Sequence, residues 1–96
     1  MREIVEVITG HLASAALDRV ALRDARATVS AMMRQANIPF DHLVTVYALK
    51  LAVEQAYAGP PSLGIDRDLW TLHYVETALS ICVTLLDLIA EDKAAA

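Results

Sequence analysis

RDLWTLHYVETALSICVTLLDLIAED, residues 67–92, is the stretch on which the fold turns. Asp66 precedes it as a natural N-cap, and Asp68 suits the positive end of a helix. At roughly 100° per residue, His73, Glu76, Thr77, Ser80, Thr84, Asp87 and Glu91 fall in an arc of roughly 100°. Trp70, Leu72, Tyr74, Val75, Leu79, Ile81, Cys82, Val83, Leu85, Leu86, Leu88 and Ile89 occupy the remaining ~260°, whereas an outer bundle helix needs an apolar stripe of little over ~100°. This helix must be covered from several directions. Its 26 residues also make a rod of about 39 Å, longer than the ~32 Å diameter of a sphere of 96 residues. The helix must therefore break, lie along an elongated bundle, or project into a second subunit.

GPPSLGID (59–66) is the one evident loop. Before it, residues 40–58 read as a helix whose apolar side chains cover most of its circumference. Pro39 blocks helix continuation, and Asn37 suits the left-handed position after a preceding helix. That preceding helix, 19–36, carries Leu22, Ala25, Val29, Met32 and Ala36 on one face and Arg23, Arg26, Ser30 and Arg34 on another. A first helix is expected over 2–17 from Ile4, Ile8, Leu12 and Ala15. Gly10 inside it costs about 1 kcal/mol relative to Ala and marks an expected bend or break. The expected fold is a single all-α domain over 1–96, a four-helix bundle-like arrangement with a long C-terminal helix, and dimeric.

Composition narrows the function. The chain holds 56% apolar residues, above the ~45–50% usual for globular domains, which excludes a disordered tail. Seventeen Ala and thirteen Leu favour helix, and three Gly with three Pro are too few for a loop-rich all-β fold. The net charge of −4 argues against broad binding to phosphate backbones. A lone Cys82 leaves no disulfide and no cysteine metal cluster, and a reducing, cytoplasmic setting is the simplest. Glu3, Glu6 and His11 interrupt the N-terminal apolar run, so no secretory signal is expected. The densest apolar stretch, 78–90, is 13 residues with Asp87 inside it, too short to span a bilayer, so no membrane partner is expected.

Candidate chemistry is thin. His11, His42 and His73 stand 31 residues apart each time, without the ligand spacing of a zinc site. His73 and Glu76 form a single HxxE, where di-metal bundles need paired motifs and further carboxylates. No nucleophile elbow, phosphate loop or dinucleotide fingerprint is present, so no enzyme, metal or cofactor is expected. Cys82, among apolar residues, reads as an inert core thiol.

The leading expectation is a non-enzymatic protein–protein interaction module, acting as a small regulator, adaptor or inhibitor. It would homodimerise through its third and fourth helices and meet another protein through an acidic or mixed surface. The expected interface comprises Tyr47, Leu51, Trp70, Tyr74, Ile81, Leu85 and Leu88. Lys50 and Glu54, an i, i+4 pair within an apolar face, are candidate polar anchors. The alternative is a helix-turn-helix-like DNA-binding regulator using residues 28–50, where Met33, Asn37, Ile38, Leu43 and Val46 match the motif's apolar and turn positions. Arg34, His42 and Thr45 would then face DNA, although the segment lacks the usual basic footprint.

Overall fold

The computed structural model describes residues 1–35 and 37–95, with the backbone alone for Gln35 and for residues 93–95. Four helices follow in order: α1 (Arg2–Ala15), α2 (Arg19–Gln35), α3 (Phe40–Ala58) and α4 (Arg67–Ala95). No strand occurs among the described residues. Ala36, the expected last residue of the second helix, lies outside them.

Local chemistry sets most of the boundaries. Asp18 Oδ1 accepts the backbone N–H groups of Val20 and Ala21, at 3.0 and 3.4 Å, and so opens α2. Asp66 does the same for α4, accepting from the N–H of Leu69 at 3.0 Å. Pro39 is extended (φ −56°, ψ 141°) and starts α3, and Gly59 closes it at φ 82°, ψ 176°. The Gly59 N–H still donates to the Gln55 carbonyl at 3.1 Å.

The expected break at Gly10 is absent, and α1 runs through it. The reason is energetic. Val5, Ile8, Leu12 and Ala15 straddle the glycine and are all buried. Burying one such large aliphatic side chain is worth about 1.5–3 kcal/mol, which outweighs the ~1 kcal/mol propensity cost. A Cβ built on Gly10 meets nothing within 4 Å. Gly10→Ala is therefore expected to stabilise the fold by about 0.5–1 kcal/mol, raising the melting temperature by a few degrees in thermal circular dichroism.

The helices alternate in direction, each packing on its two neighbours in the order α1–α2–α3–α4–α1. Cross-helix bonds fix this arrangement. Arg19, at the start of α2, donates from Nη2 to the Tyr57 carbonyl near the end of α3 at 2.8 Å. Arg26 Nε donates to Glu54 Oε1 at 2.9 Å. Both guanidinium groups lie on the Tyr57 ring, 4.7 and 4.6 Å from its centroid. Trp70 Nε1, early in α4, donates to the Gln55 carbonyl at 2.8 Å. At the opposite end His42 Nε2 lies 2.8 Å from Asp92 Oδ2.

One core runs along the axis, filled at alternating three- and four-residue steps: Val5, Ile8, Leu12 and Ala15; Leu22, Ala25, Val29 and Met32; Val46, Leu49, Val53 and Ala56; Val75, Ala78, Cys82, Leu85 and Ile89. Burial pushes the Cys82 thiol up from its ordinary value, with a hydrogen bond to Thr9 of α1 pulling the other way. The molecule measures 49 × 20 × 20 Å. Of the outcomes open to the long last helix, the elongated bundle is the one observed. The helix is unbroken and runs to Ala95, three residues past its expected end.

Candidate interaction surfaces

α3 buries one side and still shows large apolar side chains on the other. Phe40, Val44, Tyr47 and Leu51 are 85, 80, 52 and 62% exposed. Their 4–3–4 spacing puts them within ~60° of arc, a continuous outer row about three turns long. The row points directly away from the core, and Glu54, at its α2-facing edge, is bonded to Arg26.

α4 carries a second row. Leu69, Leu72 and Val83 are 66, 41 and 58% exposed. Together with Glu76 and Asp87 they fall within ~60° of arc. This row leans toward α1, since Leu69 and Leu72 line a shallow 310 Å³ notch with Ala16, Leu17 and Asp68. In the square of helices, the α2/α3 side and the α1/α4 side are opposite faces. The α3 row points outward at the edge of the first face, the α4 row lies on the second, and the core stands between them.

The expected interface residues divide accordingly. Tyr47 and Leu51 belong to the α3 row. Trp70, Tyr74, Ile81 and Leu88 are half-buried on the flank of α4 that faces α3, with the Trp70 and Tyr74 ring centroids 4.8 Å apart. Leu85 is corrected outright: it is fully buried in the chain's own core, where its three- and four-residue spacing from Cys82 and Ile89 puts it on the inner stripe. Phe40, Val44, Leu69, Leu72 and Val83 are exposed and fall outside the expected set. The spacing of Phe40 and Val44 relative to Tyr47 and Leu51 was the available signal.

The candidate polar anchors, Lys50 and Glu54, are not bonded to each other. Glu54 pairs with Arg26 of α2 rather than with Lys50. The hydrogen bond from Arg26, followed by the charge of Glu54, raises the Arg26 guanidinium above its ordinary value. Lys50 is half-buried and makes no ion pair among the described residues. A partner 28 positions away in sequence leaves no mark in helical periodicity.

The expected DNA contacts are not brought together. α2 and α3 run antiparallel, and the Arg19–Tyr57 and Arg26–Glu54 bonds join the first half of α2 to the end of α3. His42 is 3% exposed, in the interior and against Asp92, with its Nδ1 unpartnered among the described residues. Thr45 is half-buried on the flank facing α4, and Arg34 is exposed on the α2/α3 face.

No group of three His, Cys, Asp or Glu side chains suited to a metal occurs among the described residues. By length and composition α4 could cross a bilayer. In the bundle it supplies the inner strip from Val75 to Ile89. Compared with known proteins, the chain matches no family model, no curated protein and no solved structure.

Proposed function

We propose that the chain is a non-enzymatic interaction module of the cytoplasm, one that self-associates through α3 and α4 and acts as a small regulator, adaptor or inhibitor of another protein. The observation that carries this reading is the α3 row. Four large apolar side chains in one line, each more than half exposed, form a contiguous patch of the kind that marks association surfaces. Scattered single apolar residues would need no such explanation. Among the described residues the polar side chains offer no convergent nucleophile, base and oxyanion donors, which favours a binding role over a catalytic one. Association spends several kcal/mol of rigid-body freedom, so rows of this size fit affinities in the micromolar range rather than an obligate assembly.

Light scattering coupled to size exclusion tests the reading. The mean mass is expected to exceed the 10.4 kDa of one chain and to rise with concentration through the micromolar range. Val44→Gln with Leu51→Gln is expected to return it to a single chain without loss of helix. A wild-type protein that stays at one chain throughout that range overturns the self-association reading.

A further inference from the structure

We infer that the self-association is head-to-tail, the arginine-flanked α2/α3 face of one copy seating on the acid-flanked α1/α4 face of the next. This rests on the self-association reading above and specifies its geometry. The occupant of each apolar row is thus the other row, on a second copy.

The net charge of −4 is unevenly distributed. α2 and α3 together hold five basic side chains against three acidic, whereas α1 and α4 hold three basic against seven acidic. Three of these charges, Arg34, Glu76 and Asp87, lie beside the apolar rows. From the Arg26–Glu54 bond, eight residues onward along α2 and eight back along α3 bring Arg34 level with Val46 and Tyr47. Arg34 is exposed and makes no hydrogen bond or ion pair among the described residues. On the opposite face Glu76 and Asp87 flank Leu72 and Val83, exposed and likewise without an ion pair. One face thus offers an apolar line with unneutralised positive charge, and the other an apolar line with unneutralised negative charge. Like faces brought together would repel, and unlike faces attract and also steer encounter.

A two-fold dimer built on the α3 row would pair each copy's Arg34 and Lys50 flank with the same flank of its mate, and would leave the α4 row bare. A heterologous contact covers both rows with one type of interface. Because the two rows lie on different faces, the operation relating neighbours does not close at two copies, and the assembly grows as open chains or larger rings.

Complementation of face-specific variants tests this. Val44→Gln/Leu51→Gln blocks the α3 row, and Leu72→Gln/Val83→Gln blocks the α4 row. All four positions are 41–80% exposed, and Gln is a good helix former, so both variants are expected to fold. Each alone is expected to associate at least tenfold more weakly than the wild type. Mixed in equal amounts, they retain one intact α3 face and one intact α4 face, and are expected to form a complex that stops at two chains. The wild type is expected to pass two chains as concentration rises, and to associate several-fold more weakly when salt shortens the Debye length from about 10 to 3 Å. A wild-type mass that levels off at two chains, an α4-row variant that associates like the wild type, or a mixture that stays at single chains overturns the head-to-tail geometry. The first two leave self-association itself standing, whereas a wild type that never associates removes the underlying reading. If circular dichroism shows that either double variant is unfolded, Val44→Gln and Val83→Gln as single substitutions carry the same comparison.

Discussion

Leu85→Ala is expected to lower the unfolding free energy by about 3–4 kcal/mol. Leu85 has no exposed surface and lies on the inner strip of α4 between Cys82 and Ile89. Truncating it loses the transfer free energy of the deleted carbons and leaves a void that a bundle packed from four sides can close only in part. Domains of this size hold about 5–15 kcal/mol in total, so the loss takes a large share and lowers the melting temperature by more than ~10 °C. Urea titration followed by circular dichroism measures it. Val83→Gln, two residues away and 58% exposed, is the control and should stay within ~0.5 kcal/mol of the wild type. The two substitutions separate the helix's roles, since the first attacks the fold and the second its surface. If Leu85→Ala weakened association while leaving the urea midpoint in place, Leu85 would belong to an interface and not to the core.

Gly59→Ala is the other large effect, and its origin lies in the backbone. Gly59 sits at φ 82°, ψ 176°, a combination essentially reserved for glycine. A side chain there costs about 1–3 kcal/mol, and an added Cβ would also lie 3.4 Å from the Arg67 guanidinium. The native chain needs this conformation to leave α3 abruptly and begin the 59–66 connection. The indole of Trp70, bonded to the Gln55 carbonyl four residues before Gly59, reports on the strain. Gly59→Ala is expected to lower stability by about 2 kcal/mol and to shift the emission of the protein's single tryptophan to longer wavelength. Gly64→Ala provides the contrast. Its Cβ would meet nothing within 4 Å, and its φ is not positive, so stability is expected to hold within ~0.5 kcal/mol.

The sequence made the architecture legible wherever local chemistry sets it. Pro39 and Gly59 bracket α3 at the residues where the helix begins and ends, and Asp66 caps α4 as its side chain suggests. The first helix is shorter than its periodicity implies, because Asp18 opens α2 and leaves Ala16 and Leu17 to make the turn. The surfaces were only partly legible, for a physical reason. When a helix is apolar around most of its girth, periodicity cannot separate the stripe that enters the core from the stripe left outside. In α3 that ambiguity hid Phe40 and Val44, and in α4 it exchanged Leu85 for Val83. Cross-helix partners are non-local by nature. Arg26 for Glu54 and Asp92 for His42 became visible only once antiparallel packing set the register. His42 shows the same limit, since an imidazole near the start of a helix is equally compatible with water and with the interior until the neighbouring helix is placed.

An even number of alternating helices brings the chain back to the tip from which it set out. Met1 and the C-terminal turns of α4 share that tip, with the 59–66 connection at the far pole, about 40 Å away along the rod. A fluorophore attached at Met1 or in the last turns of α4 therefore sits at one pole, away from the middle of both broad flanks of the rod.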